Sequence, residues 1–424
     1  MAEAALHRSR VSGQGIGLLY RVYCWVMRQP RLLRLVAAVL RRWPLASQWV
    51  PVVARRDAVA AAFLRTGTFS NVAHAPNLVA GEFSIGMEDG PRYRAERVAL
   101  EAMLLGGGEL GQYSAELARE RIGGWTKDAE HGRFDLVDDY LAPLVWRTMK
   151  RSFGAAGDAL AQGVSGADPE RVEQQLFMEL RHVAAHLVVG GVATPGVQSR
   201  AEEAGHALNR RVGARLQEVC QAMGPRLPTC SHADIHRNTV GLMWVSHPVA
   251  VQAGVHLMVE LLRRPEWHRR LREQVRASTS PWLDEALRER LREVVLELLR
   301  FRPVFPLVAR AVPRAAGFDT GDAVPAMAGA GRSMLLMVIG AMFDPAATER
   351  PGEFRPGREW TRDSEDRYMV FGYGQRRCPG QDHALEMLTS LLIGLLLLPH
   401  PCRLAHRKAL VYDGPAAAHL HLVF

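Results

Sequence analysis

The residues with the most chemical content lie in one stretch, "FGYGQRRCPG", Phe371 to Gly380. It sets one thiol, Cys378, beside Arg376 and Arg377, just before a Pro-Gly turn and the apolar run "ALEMLTSLLIGLLLL". Gly372 and Gly374 permit backbone conformations that other residues resist, and Gly380 lets the next helix lie close to a flat group. Flanking positive charge and a helix N-terminus both favour thiolate over thiol at Cys378. A thiolate acts either as a nucleophile or as a metal ligand. The five cysteines (Cys24, Cys220, Cys230, Cys378, Cys402) are scattered, with no C-x-x-C pair. That pattern argues against a disulfide framework and against zinc or iron–sulfur centres, which take several protein ligands. Heme iron needs only one, because the porphyrin supplies four. A heme-free cysteine hydrolase is the competing chemistry; it needs a partner histidine and oxyanion donors that no motif sets beside Cys378.

Phe371, Gly374, Arg376, Cys378 and Gly380 match F-x-x-G-x-R-x-C-x-G. On these positions the chain resembles the heme-thiolate loop of the cytochrome P450 superfamily, in its soluble bacterial form. The resemblance extends from about residue 45 to the C-terminus and implies heme b (iron protoporphyrin IX), with Cys378 as the axial ligand of the iron. Upstream, "LELLRFRPVFP" contains E-x-x-R-x-x-P as Glu297, Arg300 and Pro303. Residues three apart share a helical face and can pair; here they resemble the family's buried Glu–Arg pair. Arg358 of "FRPGREW" takes the third place, with the structural role of locking the segment that positions Cys378. Heme carboxylates need cationic partners. The resemblance assigns them to Arg376, to Arg310, and to Tyr93 and Arg97 of "YRAER", where bacterial members usually carry His and Arg. Phe371, Gly374 and Gly380 complete the expected cofactor-binding set.

The resemblance breaks on the distal side. Counting back from "RRPEW" puts the oxygen-activating segment on "VSHPV", Val245–Val249. The family's pattern there is A/G-G-x-D/E-T, an acid and an alcohol that relay protons. Pro248 and Val249 stand in those places; proline lacks an N–H and kinks a helix, and valine relays nothing. Ser246 and His247 are the remaining proton carriers, so Ser246, His247 and Pro248 form the candidate catalytic set. A shift of register, with Ser246 or a water as substitute, is one reading. The other is non-standard activation: His247-Pro248 resembles in form the Arg-Pro of the family's fatty-acid peroxygenases, and a histidine can serve as acid, base or carboxylate partner. The glutamate usual nine residues after the cysteine is replaced by Met387, with Glu386 one earlier, and His383 replaces an apolar residue.

The surrounding elements must hold these groups in place. With 48% hydrophobic and 23% charged residues, the 424-residue chain reads as an ordinary folded protein. The formal charge of +9 is consistent with arginine used for solubility or with a docking face for an acidic protein such as a ferredoxin. No nucleic-acid signature is present. Helical patterns dominate from about 109 to 300. A strand is expected in "SQWVPVV", a long loop over 71–90, a small sheet over 301–335 and an irregular stretch over 344–377. The predicted class is mostly α with a minor β part, and the resemblance implies a cytochrome P450 fold, a triangular helical bundle around a buried heme. Residues 1–44 read as an amphipathic lead-in. Residues 45–424 read as a single heme domain, with its β-rich lobe at about 45–70 and 301–335.

Arginines interrupt the apolar start, and the run Val240–Leu262 carries Ser246, His247, Gln252, His256 and Glu260, so neither reads as a membrane span. A cytoplasmic protein is expected, with surface contact between its N-terminus and a membrane left open. The implied activity is a monooxygenase-type oxidation of a small apolar substrate, as in secondary metabolism. Peroxygenase or non-oxygenase chemistry (rearrangement, dehydration, nitrogen transfer) and a non-catalytic heme carrier are the alternatives.

Overall fold

The computed structural model describes residues 13–42, 51–104, 107–127, 132–154, 156–161, 168–318, 326–360 and 367–424. The expected start of the first strand at residues 47–50, and residues 361–366 of the irregular stretch, lie outside them. Two N-terminal helices, α1 (Gly13–Met27) and α2 (Pro30–Arg42), precede α3 (Arg56–Leu64) and α4 (Pro91–Met103). Then come α5 (Gly107–Lys127), α6 (Ala142–Ser152), α7 (Ala156–Ala161), α8 (Pro169–Val189), α9 (Pro195–Ala214) and α10 (Leu216–Met223). The second half carries α11 (His232–Leu262), α12 (Pro265–Ala277), α13 (Glu285–Phe301), the short α14 (Val338–Ala341) and α15 (Gln381–Leu397).

Local chemistry sets the ends of the helices that matter most. Ser231 and Asp234 form a reciprocal capping box at the start of α11, which satisfies N–H groups that the first turn leaves orphaned. Asp284 accepts the Leu287 N–H at 3.0 Å to open α13, and Pro91 sits in the first turn of α4, where its missing N–H costs nothing. The 31-residue α11 is continuous through Pro248 and buried over most of its length. It is long and apolar enough to cross a bilayer, yet 78% of that apolar window lies inside the protein. α15 is apolar on every side and packs against α5, α12 and α13, as expected for a core helix.

The β part is small. β1 (Val52–Val53) runs parallel to β6 (Arg332–Leu336), and β6 pairs antiparallel with β3 (Val308–Val312). β4 (Ala316–Phe318) and β5 (Ala326–Ala328) form a hairpin ladder. A second sheet joins β2 (Arg133–Asp135), β9 (Ala416–Val423) and β7 (Arg403–Leu404), with β8 (Leu410–Asp413) also on β9. This C-terminal sheet was not anticipated from the sequence. The region 71–90, expected as a loop, is two 3-10 turns, Asn71–Asn77 and Ser84–Gly86. α2 contributes Leu33, Ala37 and Leu40 to the main core.

Candidate functional site

The cysteine loop is built by its glycines. Gly372 and Gly374 have φ of +88° and +59°, in the left-handed region that favours glycine. A Cβ at Gly374 would also lie 2.7 Å from Leu64 Cδ2. The Cys378 N–H donates to Phe371 O at 2.7 Å and closes the loop beneath a cavity of about 560 Å³. Gly380 differs from expectation: its φ is −95°, so its backbone does not require glycine. A Cβ there would sit 3.9 Å from Cys378 Sγ, an ordinary contact that takes up room beside the sulfur.

Burial pushes the Cys378 thiol up from its ordinary value, while the Gly380 N–H and Arg97 pull it down. This corrects the expectation that Arg376 and Arg377 favour the thiolate. Arg376 turns away to donate to Met87 O at 2.9 Å, pairs with Asp89 at 3.0 Å and stacks 3.6 Å over the Tyr93 ring. A metal cation held at the sulfur would favour the thiolate that this burial disfavours.

Arg310 projects from β3 into the same cavity, nearly fully buried and 4.7 Å over the Phe63 ring. Burial, then repulsion from Arg376, lowers its pKa to about 9. The Nε atoms of both Arg310 and Arg376 are buried without a hydrogen-bond partner among the described residues. Two cavity-facing guanidiniums with unspent donors fit the carboxylates of heme. A single half-buried thiol on the floor fits its iron, so the residues present match that cofactor.

The expected role of Arg97 is also corrected. It does not line the cavity; it donates to Gln375 O at 3.3 Å and Arg377 O at 2.5 Å, clamping the cysteine loop from outside. Tyr93 lines the cavity and its hydroxyl donates to Gln375 O at 3.1 Å. Sequence reasoning missed His74, which lines the cavity beside the two arginines. Burial, then Arg310, lowers its pKa to about 4, so it stands neutral at pH 7.

Behind the loop, Glu297, Arg300 and Arg358 meet with essentially no exposure. Glu297 accepts two 2.8 Å bonds from Arg300, one of 3.1 Å from Arg358 and one of 2.8 Å from the Arg355 N–H. Arg300 also donates to Met342 O, Pro351 O and Glu353 O, and Arg358 to Glu349 O and Glu353 O. The cluster ties α13 to the irregular segment leading to Cys378. Burial alone would raise the Glu297 pKa, but its arginine bonds hold it below the ordinary value. A second buried cluster escaped notice in the sequence: Glu386 of α15 pairs with Arg288 and Arg292 of α13.

The distal wall is α11. Its residues Leu242, Val245, Ser246, Val249, Ala250 and Ala253 line the cavity at spacings of three and four, one helical face. Ser246 carries the only hydroxyl on that face among the described residues. His247 and Pro248 are corrected: they face the opposite side, toward an adjoining cavity of about 500 Å³. His247 Nε2 donates to Ala142 O at 3.0 Å, and its ring stacks on Phe177 at 4.6 Å. Burial lowers its pKa to about 4, so it carries no exchangeable charge at pH 7 and does not reach the space above Cys378. Whether the family's alcohol position falls on Val249 or Ala250, neither residue is an alcohol. Val245 and Val249 of α11 are among the residues that line both cavities, with Met27, Leu187, Val188, Val304 and Phe305.

Residues 215–398 match the family model described as Cytochrome P450. Among curated proteins, the chain is 37% identical over 151 residues to "Cytochrome P450 76M5" of Oryza sativa subsp. japonica, covering 33% of this chain and 29% of that one. It is 33% identical over 154 residues to the "Steroid 21-hydroxylase" of Homo sapiens, covering 34% and 30%. The chain thus spans about three-tenths of the length of these relatives. Among solved structures, a mutant of P450 EryK in complex with erythromycin B superposes with a TM-score of 0.71 at 19% identity, covering 94% of this chain and 97% of that one. CYP109B1 from Bacillus subtilis gives 0.67 at 18%, covering 92% and 99%.

Proposed function

We propose, from the premise that this chain belongs to the cytochrome P450 superfamily, that it is a heme-thiolate oxidoreductase of the monooxygenase type acting on a small apolar metabolite. The observation that carries the proposal is the pairing of one thiol on the floor of a largely apolar cavity with two buried guanidiniums at its edge, each with a buried Nε that has no partner among the described residues. Cys378 Sγ would hold the iron, and Arg310 and Arg376 would hold the carboxylates. When bound, heme b supplies the redox chemistry that the protein side chains lack. The chain's own residues exclude water, orient the substrate against the Val245, Val249 and Ala250 face, and offer a proton at Ser246 Oγ. The adjoining cavity behind Val245 and Val249 gives room for a longer substrate.

Electrons would come from an acidic ferredoxin and its reductase, docking on a basic surface. A second reading, turnover with peroxide in place of dioxygen and electrons, is favoured by one observation: among the described residues, no acid and only one alcohol stand on the cavity face of α11. Non-oxygenase catalysis at the same iron draws on the same observation.

The ferrous–CO complex of the holoprotein is expected to absorb at the long wavelength typical of thiolate ligation, and Cys378→Ala is expected to abolish that band. Survival of the band in the variant would defeat the assignment. Product formation with ferredoxin, reductase and NADPH but not with peroxide supports the monooxygenase; the reverse result supports the peroxide reading. Ligand-induced spectral shifts with turnover under neither condition indicate a carrier.

A further inference from the structure

The N-terminal helices present a feature that oxidation chemistry does not use. Of thirteen large hydrophobic residues exposed among the described residues, seven lie on α1 and α2. Leu18, Leu19, Val22 and Trp25 recur at helical spacing on α1, and Leu35, Val36 and Val39 do so on α2; Leu35 is 63% exposed and Trp25 54%. The inner faces of the same helices are fixed to the protein. Cys24, Leu33, Ala37 and Leu40 are buried, the Tyr23 hydroxyl donates to Val188 O at 2.7 Å, and Arg28 donates to Gly414 O at 2.9 Å.

Charge says what covers the outer face. Residues 1–56 contain ten arginines, no lysine and one acid, Glu3, for a net of 10 − 1 = +9. Residues 57–424 then hold 53 − 10 = 43 basic and 44 − 1 = 43 acidic residues, a net of zero. The formal charge of the chain thus falls within its first 56 residues. Five of their arginines (Arg21, Arg31, Arg34, Arg41, Arg42) lie on the two helices that carry the exposed apolar face, and Arg28 lies in the turn between them. A second copy of this face would meet it with like charge, so the occupant must bring negative charge together with apolar depth. We propose that α1 and α2 form a docking face for an anionic lipid surface, with Leu18, Leu19, Val22, Trp25, Leu35 and Val36 entering the acyl boundary.

Exposed Arg21, Arg31 and Arg42 pair with lipid phosphates, as basic residues at an interfacial helix do. The inner face of α1 is held to the protein through Cys24, Tyr23 and, just past its end, Arg28, so the helix would lie along the lipid surface with only its outer face entering it. Tyr23 and Met27 of α1 also line the cavity above Cys378, which puts the docked surface next to the cavity wall. An apolar substrate dissolved in the bilayer would then have a short path inward. That last consequence rests on the proposed function; the docking does not.

The test is co-sedimentation of the holoprotein with phosphatidylcholine vesicles, with and without phosphatidylglycerol. The protein is expected to pellet with the anionic vesicles and to be released by high salt. Arg21→Gln/Arg31→Gln is expected to lower anionic-vesicle partitioning roughly thirty-fold, at the usual contribution of a basic residue near such a surface. Leu19→Ser/Trp25→Ser is expected to lower it at least as far, with circular dichroism unchanged because both sites are exposed. No pelleting of the wild type with anionic vesicles overturns the proposal, as does wild-type binding by both double variants. A stable dimer that Leu19→Ser/Trp25→Ser dissociates, or capture by an acidic protein with no vesicle binding, assigns the face elsewhere and overturns it too. Loss of the long-wavelength CO band in Cys378→Ala with vesicle binding intact keeps the two proposals separate.

Discussion

Replacing Glu297 by glutamine removes one charge and little volume from the buried junction between α13 and the segment that leads to Cys378. The carboxylate answers two guanidiniums, Arg300 and Arg358, neither of which reaches solvent. An amide has one oxygen to accept with, and its NH2 group turns a donor toward guanidinium donors. Arg300, Arg358, the Arg355 N–H and the Tyr368 hydroxyl all converge on Glu297, so at least one loses its acceptor. Removing one partner of a buried ion pair costs about 3–5 kcal/mol, because the other charge is left uncompensated. With two such charges stranded, the upper end of that range is expected, a large part of the roughly 5–15 kcal/mol that holds a typical domain folded. Urea unfolding followed by tryptophan fluorescence measures the loss, and the ferrous–CO band reports whether the cysteine segment keeps its place. Glu386→Gln is the internal comparison: it leaves Arg288 without its carboxylate, but Arg292 keeps Glu285 and Glu289 and its side chain is 22% exposed, so less is lost. Its expected cost is smaller, with the CO band preserved. A Glu297→Gln loss below about 1 kcal/mol, or a larger loss in Glu386→Gln, would refute the reasoning.

The cavity wall and the buried histidines carry two further outcomes. Ser246→Ala is expected to lower product formation with dioxygen and electrons by at least ~10-fold, below the ~10²–10⁴ that a full general acid supplies. His247→Phe, which keeps the stacking on Phe177, should change it little; a larger loss in His247→Phe would overturn the placement of the two side chains. Acid should unfold the protein partly through its buried histidines. His247 and His268 have folded-state pKa values lowered to about 4 by burial, against an ordinary 6.5. The unfolded chain therefore takes up protons near pH 6.5 that the folded chain refuses until near pH 4. Their stabilisation is complete above pH 6.5 and is lost as pH falls toward 4, by up to about 1.4 kcal/mol per pH unit for each histidine. His247→Phe should flatten the stability profile between pH 6.5 and 4, and an unchanged slope in urea titrations would count against it.

The proximal side was legible because its determinants are local in sequence. The glycines, arginine and thiol of "FGYGQRRCPG" lie within ten residues, and Glu297 and Arg300 share one helical turn. The distal side was not, because a helix turns 100° per residue and an error of one position moves a side chain from one cavity to another. Reading "VSHPV" without that rotation placed His247 over the cysteine; the fold gives that place to Ser246. His74 and the Glu386 cluster join residues far apart in the chain, and nothing in their neighbours signals the contact. β7–β9 were missed because the two-residue β7 and four-residue β8 are too short to show an alternating pattern and β9 opens on three alanines, so their form rests on cross-strand pairing more than on propensity. Arg97 had the right residue type at the right spacing, but its clamp on Gln375 O and Arg377 O depends on how closely α4 approaches the loop.

The two guanidiniums at the cavity edge have a consequence for the life of the protein in a cell. Arg310 and Arg376 repel each other across a desolvated corner, and each keeps an unanswered buried Nε. A dianionic occupant relieves both costs at once, so binding it also stabilises the fold. By mass action, the stability of the chain then rises with the free concentration of its cofactor over the dissociation constant. Chains made while heme is scarce carry that unrelieved charge and open more often, which exposes them to proteases. The level of this protein would therefore follow heme supply, with Arg310→Gln lowering its abundance most when heme is plentiful and least when heme is scarce.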